Sequence, residues 1–190
     1  MAVEEPPYEV VLSADAFEIR AYPALIAAEV AVGGDRNEAG NAGFRLLAGY
    51  IFGGNTRKQK ISMTAPVIQA PAAGKSIAMT APVIQSGANG AWIVRFIMPA
   101  GYTLDTLPVP DDARVRLLPL PPARVAVIRF SGLAQVADVE VKTAELLAFV
   151  AARKLRSSGP PVLARYNPPW TPWFMRRNEV MIPIAAEGVE

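Results

Sequence analysis

Apolar and polar positions along this chain fall into two periods, and the changes between them mark out strands and helices. Phe17-Glu18-Ile19-Arg20-Ala21-Tyr22 alternates. That predicts a strand with Phe17, Ile19 and Ala21 on one face and Glu18, Arg20 and Tyr22 on the other. Tyr8 to Leu12 predicts a shorter strand before it, and Leu25 to Val32 a mostly apolar strand after the break at Pro23. The period then becomes helical. Asp35 stands as an N-cap with Glu38 three residues on, and Ala39, Gly43, Leu47 and Ile51 recur every fourth residue. This predicts a helix over 36–52, stopped by Gly53-Gly54-Asn55. Further strands are predicted over 92–98, 114–119, 124–130, 162–166 and 179–184. A second helix, capped by Asp138, is predicted near 138–156.

The two halves of this pattern match. Strand, proline break, strand, glycine, helix and further strands occur in both, so residues 17–98 and 114–184 read as two copies of one unit. The expected fold class is α+β: a distorted antiparallel β-barrel with two helices and a pseudo-two-fold internal repeat, in a single domain over 1–190. One phrase is also doubled locally. Met63-Thr64-Ala65-Pro66-Val67-Ile68-Gln69 returns intact as Met79 to Gln85 across a short Ala/Pro/Gly stretch. It predicts a hairpin whose prolines mark an edge or a bulge. Its methionines either pack in the core or line a pocket wall that adapts to a flat apolar ligand.

Composition narrows the chemistry. An apolar fraction of 52% against 19% charged residues predicts a folded core rather than disorder. A net charge of +2 is too balanced to make nucleic acid the main partner. The chain has no cysteine and no histidine. Disulfides, thiolate metal sites, His-based zinc sites, a Ser-His-Asp triad and a histidine base are thereby excluded. No apolar run approaches the ~20 residues that span a bilayer, and the N-terminus lacks a signal-peptide pattern. The expected compartment is the cytoplasm; a leader already removed would leave no mark in the sequence.

Several short motifs occur in a fixed order. They are Lys60-Ile61-x-Met63-Thr64-Ala65-Pro66-Val67, the strand end Phe96 to Pro99, Gly101-Tyr102-Thr103, Leu107-Pro108-x-Pro110, Phe130-Ser131-Gly132, Tyr166-Asn167-Pro168-Pro169-Trp170 and Arg176-Arg177-Asn178-Glu179-Val180. Together, from about Tyr8 to Ile184, they resemble the SOUL haem-binding protein family. The resemblance implies an eight-stranded distorted barrel with two helices. It also implies binding of haem or a related tetrapyrrole as a carrier or buffer, with that small molecule as the partner. Carried over by position, the ligand would lie beside the first helix against Phe44, Leu47, Tyr50, Ile51 and Met63. Arg45, Lys58 and Arg176 would be its propionate partners. Two departures matter. The histidine that serves some members as axial ligand is missing, which leaves Met, Tyr or Lys, or no strong protein ligand at all. Thr171 stands where some relatives carry a basic residue.

A second reading is enzymatic. The architecture also resembles the effector-binding domains related to gyrase inhibitors, where a buried carboxylate and aromatics act on small apolar molecules. The chain would then be a small-molecule hydrolase or a tetrapyrrole-modifying enzyme. Glu29 and Glu179 are the acidic residues embedded in strongly apolar strands, so each is a candidate for a raised pKa. The commoner role for a glutamate so placed is a structural ion pair, and Glu179 is expected to pair with an arginine to offset its burial. No catalytic residue is assigned on the binding reading. Trp170 and Trp173 would form an aromatic rim or plug the barrel end. A third reading is an interaction protein whose apolar groove takes a partner helix.

Overall fold

The computed structural model describes residues 4–72, 90–167 and 170–185. Its elements in chain order are β1 (Glu9–Ala14), β2 (Phe17–Tyr22), β3 (Leu25–Gly33), α1 (Arg36–Ile51), β4 (Val67–Pro71), β5 (Ala91–Ile97), β6 (Arg116–Leu120), β7 (Ala123–Ser131), α2 (Val136–Ala152), β8 (Val162–Arg165) and β9 (Arg177–Ile184). A single 3-10 turn, Trp173–Met175, precedes β9. The strands form one antiparallel sheet in the order β1-β2-β7-β9-β8-β4-β5-β3-β6. The sheet curls into a half-barrel with β1 and β6 at its edges, so the α+β class holds and the barrel is open. The two sequence copies do not form separate sheets. β2 pairs with β7 and β6 pairs with β3, each crossing into the other copy, while β4 pairs with β8 at the join.

Local chemistry sets the element ends. Asp35 Oδ1 accepts from the N–H groups of Asn37 at 2.8 Å and Glu38 at 2.9 Å, so α1 begins where its capping box puts it. α2 begins earlier than the sequence reading. Its N-cap is Gln135, whose N–H donates to Asp138 Oδ2 at 3.1 Å. Asp138 acts from inside the first turn, where a carboxylate also meets the positive end of the helix dipole. The helix stops at Ala152, because the chain turns at Lys154, which has φ of 56°. Of the doubled phrase, only the first copy falls among the described residues. Its strand is confined to Val67–Pro71. Ahead of it the Ala65–Pro66 bond is cis, and the Thr64 hydroxyl donates to the Ile97 carbonyl, which ties the segment to the end of β5.

Strand alternation divides the sheet into two faces. Ala28 and Val30 of β3 and Val94 and Phe96 of β5 pack against Leu47, Tyr50 and Ile51 of α1. Ala126 and Ile128 of β7 and Val180, Ile182 and Ile184 of β9 pack against Val139, Leu146 and Val150 of α2. Each helix thus covers its own core on the same side of the sheet. Gly43 is what lets α1 sit so close. A Cβ at Gly43 would come within 2.5 Å of Val94 Cγ2. The ~1 kcal/mol that glycine costs a helix is offset by this contact. The alternate residues of the same strands point to the other face, where no helix lies among the described residues.

Candidate functional site

The inner face of the half-barrel carries an apolar groove. Tyr22, Leu25, Ile68, Arg95, Ile97, Leu120, Val125, Val162 and Met181, from strands β2 to β9, line a cavity of about 160 Å³, with prolines completing its wall. The period of two explains the lining. In β5, Val94 and Phe96 face α1, so Arg95 and Ile97 face the groove. In β9, Val180 and Ile182 face α2, so Met181 and Pro183 face the groove.

Two ionic clusters lie on this same inner face. Glu179, two residues before Met181, is 0% exposed. It accepts from Arg20 Nη1 at 2.7 Å and Nη2 at 3.0 Å, from the Tyr166 hydroxyl at 2.6 Å and from Arg177 Nε at 3.1 Å. Burial alone would push the Glu179 pKa up. The hydrogen bonds from Arg20 and Tyr166, with the charges of Arg20 and Arg177, outweigh it and hold the carboxyl below its ordinary value. Of the two roles the sequence left to Glu179, the raised pKa is therefore the one that fails: its partners saturate it and keep it ionised, which unfits it as a general base. Burial pushes the Tyr166 phenol up, and the charge of Glu179 pushes it further, so it stays a donor. In the second cluster, Glu29 accepts from Arg95 Nε at 2.6 Å and Arg116 Nη2 at 2.8 Å. Both glutamates take the ion-pair role.

The residues assigned by position beside α1 divide into two groups. Leu47, Tyr50 and Ile51 are at most 2% exposed and belong to the α1 core. The Tyr50 hydroxyl donates to the Pro108 carbonyl at 2.9 Å, and burial pushes its pKa up to about 12. Phe44 and Met63 are half-buried against the same cluster, Phe44 edge-on to Phe96 with centroids 5.4 Å apart. Arg45 is exposed, and Lys58 is exposed and paired with Asp111 at 2.7 Å. Arg176 lies in the loop before β9, its Nε donating to the Thr171 carbonyl at 2.8 Å. Trp170 is 83% exposed and Trp173 is also exposed, so neither plugs the barrel. The groove residues Tyr22, Arg95 and Met181 were not singled out by sequence. For Met181 a signal was there: β9 is apolar at consecutive positions from Val180 to Ile184, which means both faces of the strand meet apolar surroundings.

The fold and site define a helix-backed α+β half-barrel with an apolar groove on its open face. Residues 3–183 match the sequence model of the SOUL heme-binding protein family, and the chain belongs to that family. No curated protein matches the chain. Among solved structures, the C-terminal domain of EcmrR is similar, with a TM-score of 0.61 at 9% identity over 94% of this chain and 98% of that one. A hydrolase encoded by lin2189 from Listeria innocua has a TM-score of 0.59 at 14% identity, covering 89% of this chain and 91% of that one. At such identities the likeness is one of fold.

The family implies haem or another tetrapyrrole, and the donor set fits it only in part. Among the described residues no group of three or more His, Cys, Asp or Glu side chains is placed to hold a metal. The groove offers a thioether, Met181, and a phenol, Tyr22, whose pKa burial raises, so its phenolate is disfavoured. Strong axial ligation is not built into these residues. The apolar walls do suit the hydrocarbon edge of a macrocycle. At about 160 Å³ the cavity falls below the roughly 300–1,000 Å³ typical of ligand pockets, which is room for the edge of a macrocycle and not for a whole ring. No helix among the described residues is long and apolar enough to cross a membrane.

Proposed function

We propose that the protein binds a tetrapyrrole by burying one edge of the macrocycle in the inner groove, without a strong axial bond from the protein. The observation that carries this reading is a groove with an apolar lining from every strand but β1, in a chain that has no histidine or cysteine. Leu25, Ile68, Ile97, Leu120, Val125 and Val162 would supply the apolar contact. Met181 would lie against the ring as a polarisable neighbour. Haem, when bound, would bring its own iron chemistry; this chain's residues would orient the ring and keep water from its buried edge. The surface beside α1 is the competing seat. There, Phe44 and Met63 with Arg45 and Lys58 remain within reach, whereas Leu47, Tyr50 and Ile51 would contact a ligand only if the core opened.

The test is a matched titration with haemin and metal-free protoporphyrin. Recognition by burial rather than by iron is expected to give dissociation constants within about three-fold of each other, under ~1 kcal/mol. Haemin binding more than about thirty-fold tighter, with the spectrum of a strongly ligated iron, would refute the reading.

A further inference from the structure

The one charged side chain among the described residues that line this groove is Arg95, which projects from β5. Its Nε is bound to Glu29 Oε2 at 2.6 Å, which fixes the guanidinium plane. Its two terminal nitrogens have no partner among the described residues, and the side chain is 30% exposed. Glu29 is shared, because it also accepts from Arg116 Nη2 at 2.8 Å. One carboxylate thus stands between two guanidinium groups, and neither has another carboxylate partner among the described residues. The cluster at Glu179 differs. There Arg20 also meets Glu18 at 2.6 Å and Arg177 also meets Glu5 at 3.1 Å, so two guanidinium groups face three carboxylates and no positive charge is left over. The surplus of one positive charge falls at the groove wall.

We infer that Arg95 makes the groove selective for ligands that join an apolar body to a carboxylate, the carboxylate meeting the outer edge of its guanidinium. This rests on the groove being the binding site. A planar fork held at Nε presents parallel N–H donors that match the two oxygens of a carboxylate. The apolar walls lower the local dielectric and strengthen the pair beyond what bulk water allows. Tyr22 supplies a second polar handle. Its hydroxyl accepts from Arg20 Nη1 at 3.4 Å, which leaves its own proton to donate toward an oxygen in the groove. A cationic ligand meets repulsion from Arg95, and a neutral one leaves the fork unused.

The experiment uses the full chain and two matched pairs of probes: protoporphyrin with its dimethyl ester, and 1-naphthoate with 1-naphthamide, each followed by fluorescence. Each acid is expected to bind about ten-fold or more tighter than its neutral partner. Arg95→Gln is expected to weaken both acids about ten-fold and leave both neutral probes unchanged. Arg95→Lys keeps the ion pair to Glu29, loses the fork and should fall between, which covers the case in which Arg95→Gln fails to fold. Equal affinity for acid and neutral partner, or an acid preference that survives in the soluble Arg95 variant, would overturn the inference. If only the naphthoate pair binds and discriminates, the carboxylate selectivity stands and the tetrapyrrole reading falls. If both porphyrins bind equally and naphthoate shows no preference, the reverse holds. Binding of none of the four overturns both.

Discussion

Replacing Arg20 with Ala is expected to destabilise the protein by about 3 kcal/mol and lower its unfolding temperature by roughly 10 °C. Arg20 is 2% exposed and gives Glu179 two of its hydrogen bonds. Without it a fully buried carboxylate keeps, among the described residues, Tyr166 and Arg177. Removing one partner of a buried pair leaves the other desolvated and uncompensated, which costs far more than the pair itself contributes. Glu179→Gln in the Arg20→Ala background should therefore recover part of the loss. The pH dependence has a definite sign. The Glu179 pKa lies below its ordinary 4.5 in the folded state. Its stabilising contribution is then complete above about pH 4.5 and is lost as pH falls through the lower folded-state value. Arg20→Ala should flatten this acid limb. Urea titrations at neutral pH and near pH 3 measure both effects. A loss under ~1 kcal/mol at neutral pH would show that Glu179 finds other compensation.

Filling the groove is expected to abolish tetrapyrrole binding while leaving the fold in place. Ala123 stands exposed at the start of β7 and lines the cavity, so Ala123→Trp adds bulk where the backbone has no close packing to lose. Excluding about 120 Å² of apolar contact at ~25 cal/mol/Å² removes roughly 3 kcal/mol, or about a hundred-fold in affinity. Leu120→Asp, on the edge strand β6, should act similarly by placing a carboxylate in the apolar wall. Arg45→Ala, on the exposed side of α1, should change affinity no more than about two-fold, because exposed charge pairs are screened. Fluorescence titration, with circular dichroism to confirm folding, separates these cases. Unchanged affinity in Ala123→Trp and Leu120→Asp would remove the groove as the site.

What the sequence made legible was local. The alternation of Phe17 to Tyr22 and the Asp35–Glu38 box depend on neighbours within a turn or a strand, and both elements start where that chemistry puts them. The half-barrel depends on pairings such as Tyr22 with Ala123 and Val67 with Arg165, which no local pattern specifies. The site divides the same way. Leu47, Tyr50 and Ile51 are residue types that suit a ligand pocket and a core equally, and only packing against β3 and β5 decides between them. The burial of Glu179 could be read from its apolar strand. The direction of its pKa could not, because it is set by Arg20, far away in the chain. Arg95 looked like the polar residue of an alternating strand. It became a candidate for recognition once Ile97, Leu120 and Met181 were placed around the same cavity.

The location of the ligand is tested most directly by following backbone amide resonances of the ¹⁵N-labelled protein as metal-free protoporphyrin is added. Binding in the groove is expected to shift Tyr22, Leu25, Ile68, Ile97, Leu120 and Met181 together at one affinity, and to leave the amides of Phe44, Arg45 and Lys58 in place. Shifts confined to Phe44, Arg45, Lys58 and Met63, with the inner strands silent, would put the ligand on the α1 face and contradict the account.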